Sequence, residues 1–204
     1  MLQELIGFDK TLRYLCQDES RFGLQTIPGR LITLKGRKPI GSTQWNRDNF
    51  YLYAVVEPLT GHHFLYEFSH LDSACFQALI NLVSDWVADD VAVMQMDQGS
   101  LHRSKSIECP ENIIPIFQPP HSPELNPIER FWQHLKAELQ WQNCSTLNGL
   151  RDRLQKIIQQ ITPDFTASLI GWEFITAAVL SSSSRENWYH PIFKHSHVCF
   201  LNRQ

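Results

Sequence analysis

The six residues Val91-Ala92-Val93-Met94-Gln95-Met96 constrain the fold more than any other stretch of the chain. They are apolar on both faces and too short for a helix, the pattern of a strand inside a sheet that is covered on both sides. Such a strand needs a helical layer above and below it, so the chain is α/β. It ends at an acid, Asp97, and the shorter mixed run from Arg13 to Gln17 likewise reads as a strand ending at an acid, Asp18. Asn49 to Glu57 and His62 to Phe68 are aromatic and β-branched about the turn-like Pro58-Leu59-Thr60-Gly61, which predicts a β-hairpin. Asp72 is placed to cap a helix whose Phe76, Leu79, Ile80, Val83, Trp86 and Val87 keep helical spacing. Asn112 to Phe117 predicts another strand, and helices are expected over 127–140, 147–161 and 163–178. This order implies a mixed sheet flanked by helices, part antiparallel and part parallel. Sites in such sheets gather at the carboxyl ends of parallel strands. If the strands ending at Asp18 and Asp97 are parallel neighbours, their carboxylates lie side by side.

At 204 residues the chain fits one domain of ordinary size, or one domain with an appendage. The boundaries read as a remnant or linker over 1–11, a catalytic-sized domain over 12–180 and an irregular tail over 181–204. No apolar run approaches the roughly 18 to 20 residues that cross a bilayer, and Met1 to Gly7 lacks the features of a signal peptide. Five scattered cysteines with no C-x-x-C pair suit reduced thiols, so a cytoplasmic location is expected. In the tail, His190, His195, His197 and Cys199 match no standard zinc spacing. The net charge of −3 argues weakly against nucleic acid as a partner. Against that, Arg30, Lys35, Arg37, Lys38 and Arg47 fall within eighteen residues that hold no acid. That stretch is either a solvated basic loop or a phosphate-binding one.

The run from Gln118 to Glu129, Gln-Pro-Pro-His-Ser-Pro-Glu-Leu-Asn-Pro-Ile-Glu, is a stiff approach to a helix. Asn126 suits the N-cap and Pro127 the first helical position, and Ile128, Trp132, Leu135 and Leu139 continue at helical spacing. Glu129 then falls in the first turn, where it either completes a capping box with Asn126 or is free for chemistry. Paired carboxylates at one sheet edge share a proton or bind a cation, and hard oxygen donors select Mg²⁺ or Mn²⁺. With a third carboxylate, such a site can hold two ions and support phosphoryl transfer at a phosphodiester. The chain has no G-x-S-x-G elbow, P-loop or G-x-G-x-x-G fingerprint.

Three blocks, Gln17-Asp18-Glu19-Ser20-Arg21-Phe22-Gly23, Met96-Asp97-Gln98-Gly99-Ser100-Leu101-His102 and Pro119 to Trp132, resemble the catalytic blocks of Tc/mariner-superfamily DDE transposases. Within that superfamily the likeness is to bacterial insertion-sequence transposases of the family numbered six hundred and thirty. It spans roughly residues 12 to 178 and implies a ribonuclease H-like fold with a mixed five-stranded sheet. It also implies that Asp18, Asp97 and Glu129 are both the catalytic residues and the ligands of two Mg²⁺ or Mn²⁺ ions. Glu19 and Glu124 are read as structural or exposed neighbours. Asp97 and Glu129 are separated by 31 residues, slightly fewer than is usual in the family. His102 matches a histidine common five residues after the second acid, with support of the substrate or metal site and simple packing both open. His121 stands where the family often has a tyrosine.

The resemblance further implies cleavage at element ends, joining of the 3′-hydroxyl to target DNA at TA dinucleotides, and a homodimer. Lys35, Arg37, Lys38 and His102 are the expected DNA contacts. The helix-turn-helix modules that precede the catalytic domain in relatives have no counterpart here, so an upstream partner chain or a decayed element is expected. A bacterial, nucleoid-associated protein follows. Two other readings stand beside it: a ribonuclease H-like nuclease that cuts without joining, and an inactive DNA-binding relic.

Overall fold

The computed structural model describes residues 10–181 and 197–199. Six strands form one sheet in the order β5-β4-β1-β2-β3-β6. They are β1 (Leu12–Gly23), β2 (Asn49–Val56), β3 (His63–Phe68), β4 (Val91–Met96), β5 (Ile113–Phe117) and β6 (His197–Cys199). β1, β2 and β3 pair antiparallel in succession, whereas β4 lies parallel to β1, β5 parallel to β4, and β6 parallel to β3. The five strands marked in the sequence are all present. The sixth falls within the stretch expected to be an irregular tail; the rest of that tail, with His190 and His195, and residues 1–9 of the expected remnant lie outside the described residues.

Among the described residues five α-helices flank the sheet: α1 (Ser73–Val87), α2 (Ile128–Glu138), α3 (Leu147–Gln160), α4 (Pro163–Ile170) and α5 (Glu173–Ser181). Side chains alternate across a strand, so β1 divides its residues between two cores. Tyr14, Cys16 and Phe22 pack with Ile128, Phe131, Trp132 and Leu135 of α2 and with α3, while Leu15 faces Phe76, Leu79, Ile80 and Val83 of α1. This covering on both faces is what the apolar β4 run demands. Asp72 caps α1 as expected, its Oδ1 accepting from the Cys75 backbone N–H at 2.8 Å.

Two expectations change. The stretch 163–178 is two helices, because the chain breaks at Gly171, whose N–H reaches the Ala167 carbonyl at 2.7 Å. A Cβ at Gly171 would lie 2.4 Å from that carbonyl oxygen, so only glycine permits the approach. β1 does not end at Asp18 but runs on to Gly23, paired with β2. The parallel pairing with β4 does stop before that acid, at Cys16 opposite Gln95.

α1 stops at Ala88, which adopts φ 56° and ψ −123°, a region that suits glycine. Ala88→Gly is therefore expected to raise stability by roughly 1 kcal/mol, seen as a higher thermal midpoint. A lower midpoint would mean the turn is held by contacts that need the methyl group.

Candidate active site

Asp18 and Asp97 each lie two residues beyond the last parallel rung, Cys16 opposite Gln95, and so stand level at the carboxyl end of the β1–β4 pair. Alternation puts Asp18 on the Tyr14–Cys16 face, under α2. The start of α2 is tied down there: the Asn126 Nδ2 donates to the Gln17 carbonyl at 2.9 Å and Trp132 Nε1 donates to Asp18 Oδ2 at 2.9 Å. Glu129 is three residues before Trp132 on the same helix face. Asp18, Asp97 and Glu129 line one cleft of about 440 Å³, together with Gln98, Gly99, Asn126 and the 118–123 loop.

The capping box does not form. The Asn126 N–H that a Glu129 side chain would reach is taken by the Pro123 carbonyl at 2.9 Å, in a 3₁₀ turn over Pro123–Leu125. Asn126, in extended conformation, instead receives the Ile128 N–H on its own Oδ1 at 3.3 Å, and Pro127 is already helical. The cap is thus complete without Glu129, whose carboxylate is left to the cleft. The helix begins at Ile128 with Pro127 at its cap position, one residue later than expected, and Asn126 still closes the start through its Oδ1.

The polar residues that hold the loop were not singled out in the sequence. Gln95 Nε2 donates to the Leu125 carbonyl at 3.0 Å and to Gln118 Oε1 at 3.2 Å, and its own Oε1 accepts from the Tyr14 hydroxyl. Gln98 Nε2 donates to the Gln118 carbonyl at 3.0 Å. One polar residue inside an apolar strand run, Gln95, was the available signal.

Asp97 is about half exposed, with Oδ1 accepting from the Gly99 N–H at 2.7 Å and lying 2.5 Å from His102 Nδ1. A Cβ at Gly99 would sit 2.9 Å from that oxygen, so a side chain there would make the carboxylate shift. His102 is buried, and its Nε2 meets Glu19 Oε1 at 3.0 Å. That corrects one expectation: the ring is 1% exposed and has no surface to offer DNA. Glu19, one of the neighbours read as structural or exposed, is structural, a partner of His102 with its side chain 7% exposed. Glu124 is exposed as expected, and so are Lys35, Arg37 and Lys38 on the long β1–β2 connection.

Among the described residues no group of three or more His, Cys, Asp or Glu side chains is gathered closely enough to hold an ion. One oxygen of Asp97 is turned to Gly99 and His102 and one of Asp18 to Trp132, so the three acids line the cleft without closing on one another. The Glu129 charge still reaches Asp18. Burial, then the charges of Glu19 and Glu129, push the Asp18 carboxyl up from 3.8 to about 7, against the Trp132 hydrogen bond. Burial disfavours the cationic form of His102, but Glu19 and Asp97 outweigh it and raise its pKa.

The Asp18 shift has a measurable consequence. Its folded pKa lies above the unfolded value, so the stability associated with the bound proton is present below about pH 3.8 and is lost as pH rises toward about 7. Asp18→Asn, which does not titrate, is expected to exceed wild type by on the order of 2 kcal/mol at pH 8 with ions chelated, the difference fading toward pH 4. Urea unfolding of both proteins across that range is the check; a difference independent of pH would contradict the burial argument.

No helix among the described residues is long and apolar enough to cross a membrane. The fold has close structural counterparts. Mos1 transposase in a mariner paired-end complex with Mn aligns with a TM-score of 0.61 at 16% identity, over 78% of this chain and 51% of that one. The Mos1 paired-end complex with the left transposon end aligns at 0.60 and 15% identity over the same shares. Likeness at that identity speaks for the fold, which is ribonuclease H-like with helices flanking a mixed sheet.

Among curated proteins, the Tcb2 transposable-element transposase of Caenorhabditis briggsae is 32% identical over 89 residues, 41% of this chain and 33% of that protein. The uncharacterised protein y4pE/y4sA of Sinorhizobium fredii is 32% identical over 87 residues, 42% of this chain and 64% of that protein. The chain therefore spans between a third and two thirds of the length of these relatives. The family of DDE superfamily endonucleases matches residues 13–151, more than half of the chain, and with two acids at one parallel-strand end and a third on the following helix the chain belongs to that family.

Proposed function

We propose that this chain is the catalytic domain of a DNA transposase of the bacterial insertion-sequence type, and that Asp18, Asp97 and Glu129 are its catalytic, metal-holding residues. The observation that carries the reading is the delivery of three acids from β1, the end of β4 and the start of α2 to a single cleft. The donor set fits hard divalent cations: the three acids offer carboxylate oxygens, and the burial of Asp18 beside the charges of Glu19 and Glu129 favours cationic company. Bound there, two Mg²⁺ or Mn²⁺ ions would activate the attacking water or 3′-hydroxyl and stabilise the leaving oxygen of the phosphodiester.

The chain's own residues supply placement. Trp132 orients Asp18, the Gly99 amide and His102 orient Asp97, and the self-sufficient Asn126 cap leaves Glu129 free. The exposed Lys35, Arg37 and Lys38 suit DNA phosphates outside the cleft. Mos1 is described in paired-end complexes with transposon DNA, and in this reading the present chain acts likewise, as a homodimer on two element ends, with end recognition supplied by a helix-turn-helix region. The inserted site would be a TA dinucleotide.

Pre-cleaved duplexes bearing the terminal sequences that flank its gene, incubated with Mg²⁺ and a target plasmid, test the reading. The expected result is a covalently joined product. Cleavage with no joined product would instead identify a ribonuclease H-like nuclease without strand transfer.

A further inference from the structure

We infer that Glu19 is a positioning residue for the reaction, fixing the Asp97 carboxylate through the His102 ring from the opposite face of the sheet. The inference rests on the metal-dependent reading above. Glu19 follows Asp18 on β1, so its side chain points to the other face, where its paired residue Tyr53 packs in the α1 core. A carboxylate buried there is costly unless it is paired. Its Oε1 accepts from Gln17 Nε2 at 2.7 Å and meets His102 Nε2 at 3.0 Å.

The chain of contacts does not stop at the histidine. The ring is wedged edge-on to Phe76 of α1 at 4.4 Å between centroids, and its other nitrogen is directed at Asp97 Oδ1. A pair that served only packing would need one such link. With two, the ring connects a buried acid on one face to a half-exposed acid in the cleft. The terminal torsion of aspartate is broad, so its rotamer alone does not orient the carboxylate. The Gly99 amide and His102 converge on Oδ1, which settles that orientation and leaves Oδ2 uncommitted. Packing against Phe76 holds the plane of the ring, and Glu19 is the partner that fixes Nε2 and with it the direction of Nδ1 toward Asp97.

Mn²⁺ binding to the full chain, followed by the loss of the free-ion electron paramagnetic resonance signal, is the test. Glu19→Gln is expected to weaken Mn²⁺ binding by about tenfold, within the range for outer-shell partners. His102→Gln keeps an amide near the Nε2 position but loses the Asp97 link, and is expected to weaken binding at least as much. Because Glu19 acts through the ring, adding Glu19→Gln to His102→Gln should produce no further loss. Wild-type affinity in Glu19→Gln, or a full additional loss in the double variant, would overturn the inference.

Asp97→Asn separates the two levels of the account. If it weakens Mn²⁺ binding while Glu19→Gln does not, only the Glu19 inference falls. If Asp97→Asn also binds as wild type, the metal reading falls and takes the inference with it. Should Glu19→Gln not fold, the wild-type chain gives the answer by nuclear magnetic resonance. Mg²⁺ is then expected to shift the His102 ring signals on both the Asp97 and Glu19 sides, and no shift on either would refute the linkage.

Discussion

Asp97→Asn and Glu129→Gln are each expected to lower the rate of DNA cleavage by on the order of a thousandfold in single-turnover assays with Mg²⁺, with the thermal midpoint little changed. The size follows from the charge removed: stabilising phosphoryl transfer through a carboxylate-held ion involves several kcal/mol of transition-state energy, and about 4 kcal/mol is three decades in rate. The unchanged fold follows from the geometry. An asparagine at 97 still presents an oxygen to the Gly99 amide at the position of Oδ1, and Glu129 caps nothing, because Asn126 already closes the helix start. A loss below tenfold at either position would mean that its carboxylate is dispensable.

The largest effect on stability is expected far from the cleft, at the buried pair of Arg13 and Glu57. Arg13 donates to Glu57 through Nε at 3.3 Å and Nη2 at 2.9 Å, the two side chains are each 5% exposed, and the guanidinium lies 4.3 Å from the Trp86 ring centre. The Thr60 hydroxyl adds a 2.7 Å hydrogen bond. Burial works against the Glu57 carboxylate, yet His62, Arg13 and Thr60 together hold it below the usual carboxylate range. Arg13→Met leaves that charge buried without its main partner and is expected to cost about 3 to 5 kcal/mol, or roughly 10 °C in thermal midpoint. Replacing both residues, Arg13→Met with Glu57→Met, should recover most of the loss.

The pH dependence has a definite sign. In wild type the depressed Glu57 pKa contributes stability above the unfolded value of 4.5 that is lost on acidification below it. Without Arg13 the carboxyl pKa rises, so the gap between the two proteins widens as pH increases through that region. Thermal melts at pH 4 and pH 8 read it directly; equal gaps would contradict the pairing argument.

Much of this architecture was legible because hydrophobic period reports burial. The apolar β4 run, the Asp72-capped helix and the 49–68 hairpin fold as their patterns require, and Ile128, Trp132, Leu135 and Leu139 are all buried. β1 was read as ending at Asp18, yet it continues through the polar Glu19, Ser20 and Arg21. Their strand is imposed by pairing with β2, which no local pattern records. The capping box was a sound local inference that lost to a neighbouring 3₁₀ turn, which claimed the Asn126 amide first. Glu19 was read only as a structural or exposed neighbour for a related reason. Its importance depends on His102, 83 residues away, and on which face of β1 it occupies. The glutamines that pin the 118–126 loop carry no sequence signal beyond their polarity, since their partners are backbone carbonyls, one another and the distant Tyr14 hydroxyl.

The central claim is that Asp18, Asp97 and Glu129 together hold divalent cations in the cleft beside the proline-led loop. Crystals of the chain soaked in Mn²⁺ and measured at the manganese absorption edge test it most directly. The account predicts anomalous density in contact with carboxylate oxygens of these three residues, absent in Asp97→Asn crystals soaked in the same way. Density confined to other residues, or a peak that persists unchanged in Asp97→Asn, would contradict it.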